Sequence, residues 1–126
     1  MQSPIIPGQP IVIRVRVYGE KGVREMRALL DTGAAYVTIL PSTAVQLGYD
    51  LQSAPRIPIA TANGVIAAPK IVLSRVSFGE FGEADVPALC LDISAAGVGA
   101  LLGLNLLGRF NIHLDAKARL LSITAP

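Results

Sequence analysis

Apolar and polar positions alternate in the first clearly patterned segment of the chain, and this alternation predicts a β-strand. Within Ile11–Val17 every second residue is aliphatic, and Arg14 and Arg16 occupy positions between them, as in a strand with one buried face. The glycine and charged residues at 19–22 are typical of a turn, and the run at 23–30 continues as a second strand. The two strands are therefore predicted to form a hairpin.

Three more hairpins are predicted farther along the chain, because pairs of apolar or β-branched runs flank short polar or glycine-rich turns. They cover residues 56–73 around Asn63-Gly64, residues 72–91 around 79–82, and residues 111–123 around 115–118. One further strand is predicted at 36–40, and short helices are predicted at 42–47, after Pro41, and within 101–108. The predicted fold class is mostly β, a compact barrel-like fold with one or two short helices.

A chain of 126 residues is expected to form one domain around one core. We place that domain at residues 11–126 and expect residues 1–10 to be an N-terminal extension. Hydrophobic residues make up 52% and charged residues 16% of the chain, which excludes a disordered protein. This apolar excess is more than one small core readily buries, and it favours association with a second copy of the chain.

Charge and aromatic content argue against a nucleic-acid partner. The chain carries 11 Lys and Arg against 9 acidic residues, with three Tyr, three Phe and no Trp, so strong positive charge and base-stacking surfaces are both missing. The longest mostly apolar stretch, Ile93–Leu104, is too short to cross a bilayer. Met1–Pro4 lacks the basic and then apolar pattern of a signal peptide. The sequence leaves open both the compartment and an anchor encoded upstream.

The inventory of reactive residues excludes most catalytic arrangements. His113 is the only histidine and Cys90 the only cysteine, so the chain cannot form an intrachain disulfide or a multi-histidine metal site. We therefore expect no metal and no cofactor. His113 lies in an alternating strand beside a polar turn, which favours a solvent-facing side chain.

Asp31 is the candidate catalytic residue. It follows the apolar run Ala28–Leu30 directly and precedes Thr32 and Gly33, so its carboxylate is expected to emerge from the edge of the core on a tight loop. Gly33 allows the backbone conformation that such a loop needs, and Thr32 can hydrogen-bond neighbouring backbone. Taken alone, this three-residue pattern is equally consistent with an ordinary turn.

Two later segments extend the pattern. Ala100–Leu107 reads Ala-Leu-Leu-Gly-Leu-Asn-Leu-Leu, and the predicted hairpin at 58–69 carries Asn63-Gly64 at its tip. Together, and in this order along nearly the whole chain, the three segments resemble the retropepsin-like aspartic proteases. The closing hairpin at 110–123 is more similar to the cellular and bacterial single-domain members of this family than to the viral ones.

The resemblance implies a closed β-barrel of the acid protease fold and aspartic endopeptidase activity on a protein or peptide substrate. It implies that Asp31 is catalytic and that the active-site loop includes Thr32, Gly33 and Ala34. The implied flap over the substrate consists of Ala60, Thr61, Ala62, Asn63, Gly64 and Val65. The implied support beside the site consists of Leu101, Leu102 and Gly103. We expect an apolar cleft lined by Leu30, Ile39, Ile66 and Leu101.

One Asp-Thr-Gly loop supplies only half of the machinery that this chemistry needs. Paired carboxylates hydrolyse a peptide bond with one acting as base and the other as acid around one water. Two charges about 3 Å apart at an effective dielectric of about 20 repel by roughly 5 kcal/mol. Such a pair works in a singly protonated state, and its rate rises and then falls with pH.

We therefore expect a symmetric homodimer that brings two Asp31 side chains together at its two-fold axis. The remaining aspartates lie near turns or segment ends without a following Thr-Gly, and we interpret them as surface acids. They are Asp50, Asp85, Asp92 and Asp115.

Two other functions stay open. Ala35 stands where the family usually has Ser, Thr or Asp, and the flap tip has no aromatic residue, so a catalytically silent dimerisation or peptide-binding module is one alternative. The other is a small β-barrel binding module for peptide or nucleic acid, which rests on fold analogy and the small basic surplus.

Overall fold

A computed structural model describes all residues from 1 to 126 and consists mainly of β-strands. The ten strands are β1 (Gln2–Pro4), β2 (Val12–Gly19), β3 (Gly22–Leu30), β4 (Val37–Ile39), β5 (Arg56–Thr61), β6 (Gly64–Phe78), β7 (Phe81–Cys90), β8 (Ala100–Leu102), β9 (Asn111–Asp115) and β10 (Leu120–Thr124). The helices are α1 (Pro41–Gln46) and α2 (Leu104–Leu107), with a single 3₁₀ turn at Ser94–Ala96. No helix has the length and apolar character to cross a membrane.

Six strands close into a barrel in the order β2, β3, β8, β4, β7 and β6, and pairing of β2 with β6 completes the ring. The predicted mostly β fold with two short helices is therefore confirmed. Most neighbours are antiparallel, but β3 pairs with β8 in parallel, and β4 pairs with β7 in parallel. Strand β5 lies outside the ring, paired only with β6.

The alternation in β2 decides which of its side chains enter the core. Ile13, Val15 and Val17 are buried, and Arg14 and Arg16 point to solvent, as the sequence pattern predicts. These three side chains join a core of 21 buried residues that also takes in Leu106 and Leu107 of α2, and Leu121 and Ile123 of β10. The closing hairpin thereby covers one side of the barrel.

The first strand lies in the segment expected to be an extension. β1 pairs with β10, and β10 pairs with β9, so the chain ends form a separate three-stranded sheet. The Met1 ammonium lies 2.7 Å from a Glu80 carboxylate oxygen and 2.8 Å from the Ile123 carbonyl oxygen. Three residues are too short a run to show an alternating pattern, which is why the sequence did not predict this strand.

The second and third predicted hairpins share one strand. β6 runs without interruption for 15 residues, and it pairs with β5 near its beginning and with β7 near its end. The tight turn at the β5–β6 tip is Ala62-Asn63, one residue earlier than predicted, and Gly64 begins β6 with φ of +115°. The Thr61 hydroxyl donates to the Gly64 carbonyl oxygen at 2.7 Å and stabilises this register.

Cys90 provides a test of core packing in β7. Its side chain is 1% exposed beside Ile39 of β4, and burial raises the pKa of the Cys90 thiol to about 11. Because only the thiolate reacts rapidly, we predict negligible labelling by an aromatic disulfide reagent at pH 8 in the native protein. Full labelling is expected in concentrated urea. Rapid labelling without denaturant would show that the β4–β7 packing described here is wrong.

Candidate active site

Asp31 stands where β3 leaves the barrel. The parallel pairing places Leu29 opposite Leu101 and Leu30 opposite Leu102. The Asp31 N–H continues this ladder by donating to the Leu102 carbonyl oxygen at 3.0 Å. Asp31 is therefore the first residue beyond the strand, and its backbone N–H is held by β8.

The Asp31-Thr32-Gly33 segment folds back onto the aspartate. The Gly33 N–H donates to Asp31 Oδ1 at 3.0 Å, and the Ala34 N–H donates to the Asp31 carbonyl oxygen at 3.2 Å. A Cβ at position 33 would lie 3.2 Å from Oδ1, so glycine permits this close approach. The loop orients the carboxylate through Oδ1 and leaves Oδ2 for a partner outside the loop.

The far end of the loop is held by the start of α2. The Leu104 N–H donates to the Ala34 carbonyl oxygen at 2.8 Å, and the Asn105 N–H donates to the Ala35 carbonyl oxygen at 3.0 Å. The Asn105 side chain accepts from the Val37 N–H at 2.9 Å and donates to the Pro87 carbonyl oxygen at 2.7 Å. One asparagine thus ties the loop to both α2 and β7.

Gly103 allows β8 and the loop to meet at backbone distance. A Cβ on Gly103 would lie 2.4 Å from the carbonyl carbon and oxygen of Tyr36, a separation that no real side chain tolerates. The Leu101-Leu102-Gly103 segment predicted to support the site therefore lies against the active-site loop on both sides, through Asp31 and through Tyr36.

The strand pleat corrects the predicted lining of the cleft. Ala28 points into the core and Leu30 packs against it, so Leu29 and Asp31 share the opposite face. Ile39 is fully buried in the core, and its prediction as a cleft residue is wrong. Leu101 remains on the face of Asp31, because it pairs with Leu29 and is absent from the core. Because alternate residues of a strand share a face, the sequence alone could have predicted Leu29, two positions before Asp31, as the residue on the face of Asp31.

The hairpin predicted as a flap projects from the barrel. Ile59 pairs with Ile66 and Ala60 with Val65, and every residue from Ala60 to Ala67 is exposed. Val65 is 72% exposed at its tip. Two surface pockets, one beside Arg14 and one beside Tyr49, do not include Asp31. Asp31 itself is half-buried.

The other aspartates and the histidine are hydrogen-bonded within their own turns or exposed. Hydrogen bonds from Ser53 lower the pKa of Asp50, and those from Ser94 lower the pKa of Asp92. Asp85 is exposed, and a carboxylate oxygen of Asp115 accepts from the Ala118 N–H at 2.9 Å. His113 is exposed, as the sequence predicts. No three His, Cys, Asp or Glu side chains lie close enough together to hold a metal ion.

The chain combines a closed six-strand barrel with an Asp-Thr-Gly loop beside a Leu-Leu-Gly strand end, and the comparisons with known proteins assign this combination to the aspartic proteases. A sequence model described as aspartyl protease matches residues 13–106, and the chain belongs to this family. The crystal structure of a retropepsin-like aspartic protease from Rickettsia conorii superposes with a TM-score of 0.73 at 25% identity, covering 98% of this chain and 88% of that one. The predicted retropepsin-like fold is confirmed. No protein with a curated description matches the sequence.

Asn105 should contribute strongly to the stability of this region. In an Asn105→Ala variant the buried Val37 N–H and the Pro87 carbonyl lose their hydrogen-bond partners. We therefore expect the free energy of unfolding, measured in urea, to fall by about 2 kcal/mol. Asn111→Ala is the matched control, because Asn111 is exposed and makes one 3.3 Å bond to Ala125; it should stay within about 0.5 kcal/mol of wild type. If the two variants, measured at the same protein concentration, lower the free energy of unfolding equally, the stabilising role of the Asn105 hydrogen bonds is contradicted.

Proposed function

We propose that this chain is an aspartic endopeptidase that works as a symmetric homodimer, with Asp31 of each copy on either side of one water. The observation that carries the proposal is the single oriented carboxylate. One Asp31 is held by β8 and by the Gly33 N–H, on a face that its own chain does not enclose.

The chemistry follows from two such carboxylates at the two-fold axis. The ionised member removes a proton from the water, which attacks the carbonyl carbon of the substrate, and the protonated member donates to the carbonyl oxygen. Collapse of the tetrahedral intermediate then breaks the C–N bond, and the amine leaves with a proton from the pair. The Gly33 N–H on Oδ1 keeps each carboxylate in position through both steps.

The surface around Asp31 fits contact with a second copy. Thr32 is exposed next to the carboxylate, and Leu104, directly after Gly103, is 50% exposed. No other aspartate of the chain is followed by Thr-Gly at the end of a barrel strand. A two-fold related copy is therefore the source of the second carboxylate, and its apolar contacts bury part of the exposed aliphatic surface.

An extended peptide would lie between the Asp31 loop and the flap. The exposed edges of the β5–β6 hairpin at Ala60 and Val65 offer strand-like hydrogen bonds to a substrate backbone. Leu29 and Leu101 share the face of Asp31, so apolar side chains are favoured next to the scissile bond. Ala35 adds no polar side chain for the substrate backbone, and this feature, with the flap tip that lacks an aromatic residue, favours a silent peptide-binding module.

The Asp31→Asn variant distinguishes an active protease from a catalytically silent peptide-binding module. The amide keeps the shape and can accept the Gly33 N–H, but it cannot act as base or acid. We expect peptide cleavage at acidic pH to fall by about 10³-fold or more, with the same oligomeric state in sedimentation.

Asp92→Asn is the matched control, because Asp92 is exposed and an amide oxygen can still accept from Ser94. This variant should cleave at the wild-type rate. Cleavage retained in Asp31→Asn would refute the assignment of Asp31, and a wild-type dimer that cleaves no peptide at any acidic pH would favour the silent module.

A further inference from the structure

We infer that Tyr36 and Lys70 form a subsite for an acidic side chain of the substrate, two or three residues from the scissile bond. The inference rests on the proposed function and goes beyond it, because it assigns a charge preference to the substrate. Neither residue belongs to the Asp-Thr-Gly loop or to the flap tip.

Strand register places Tyr36 on the face of Asp31. Leu30 pairs with Leu102 in parallel, so the next residue, Asp31, lies beside Gly103. On the other side of β8, Thr38 pairs with Leu101 in the antiparallel sense, so Tyr36 also lies beside Gly103. The missing Cβ of Gly103 and its contact with the Tyr36 backbone agree with this placement. With strands spaced about 4.8 Å apart, Asp31 and Tyr36 are about 10 Å apart across the sheet.

The next row of the sheet brings Lys70 to the same face. Residues paired across neighbouring strands point to the same face of the sheet. One continuous row across five strands is formed by the pairs Leu29–Leu101, Leu101–Thr38, Thr38–Leu89 and Leu89–Lys70. Thr38 is 5% exposed and Leu89 is 4% exposed, so the sheet surface between Leu101 and Lys70 is closely packed. Val37, Ile39 and Ile71, at the alternate positions, point into the core.

The Lys70 ammonium is positioned but not neutralised. Its Nζ lies 5.7 Å from the centroid of the Tyr36 ring, within the range of a cation–π contact. The ion pairs of the chain involve Met1, Arg14 and Arg109, and none involves Lys70. Asp50 lines the same pocket as Lys70, but its carboxylate accepts from the Gln52 and Ser53 N–H groups. A part-buried cation that is held over a ring and makes no ion pair with a carboxylate is complementary to an anionic side chain.

The spacing sets the position of that side chain in the substrate. An extended peptide advances about 3.3 Å per residue, so the Tyr36 backbone, about 10 Å from Asp31, is level with the third residue from the cleaved bond. The Lys70 ammonium lies 5.7 Å from the Tyr36 ring centroid, where an acidic side chain of the second or third residue can extend towards it. The two-fold axis of the proposed dimer repeats the subsite on the other side. Glu or Asp is therefore favoured at these positions over a neutral residue of the same shape.

The test uses pairs of peptides that differ only by Glu or Gln at the second or third residue from the bond that wild type cleaves. We expect kcat/KM to favour Glu by about fivefold to tenfold at low salt, as an unscreened ion pair would give. Lys70→Met should make kcat/KM equal for the Glu and Gln peptides, and Lys70→Arg should keep the preference for Glu. Lys70→Glu should instead prefer a peptide that carries Lys at this position. Lys117→Met, in an exposed turn, is the matched control and should keep the wild-type ratio.

Binding of the same peptides to Asp31→Asn, measured by calorimetry, separates this inference from the proposed function. A Glu preference in binding that disappears in Asp31→Asn/Lys70→Met supports the subsite even where cleavage is absent. Equal kcat/KM and equal affinity for Glu and Gln peptides overturn it while leaving the protease intact. A Glu preference that survives Lys70→Met also overturns it, because the charge would then be recognised elsewhere.

Discussion

The close contact between the backbones of Gly103 and Tyr36 is the constraint on which the site depends. It allows β8 to lie between β3 and β4, parallel to one and antiparallel to the other. With β8 in that place, the Leu102 carbonyl holds Asp31 and the start of α2 holds Ala34. Any side chain at 103 would push the loop away from β8 and release the carboxylate from its backbone support.

That geometry is also the basis for proposing a site shared between two copies of the chain. Asp31 is held by hydrogen bonds to the Leu102 carbonyl of β8 and to the N–H groups of Gly33 and Ala34, and none of these bonds involves Oδ2. Leu29 and Leu101 face the same side as Asp31, and the register continues this sheet surface to Tyr36 and Lys70. In the proposed homodimer this surface is one wall of a cleft, and the second copy supplies the opposite wall and the second acid.

The sequence predicted the features that local chemistry specifies. Alternation indicated β2 and its buried face. Asp31-Thr32-Gly33, the segment around Leu101-Leu102-Gly103 and the hairpin at 58–69 together indicated the family, because they occur in the expected order along the chain. Long-range features were not predictable in this way. The pairing of β1 with β10 has no local pattern, Leu29 was confused with Leu30 because both are leucines in an apolar run, and Lys70 reaches Tyr36 only through the lateral register of three strands.

The most direct test of this account joins two copies of the chain by a flexible linker and places Asp31→Asn in neither, one or both copies. Peptide cleavage is then measured at concentrations where each tandem protein sediments as a single linked pair. If the two aspartates act together, the tandem with one substitution is as inactive as the tandem with two. A singly substituted tandem that retains about half of the unsubstituted activity would show that each Asp31 works alone, and the shared-carboxylate account would be wrong.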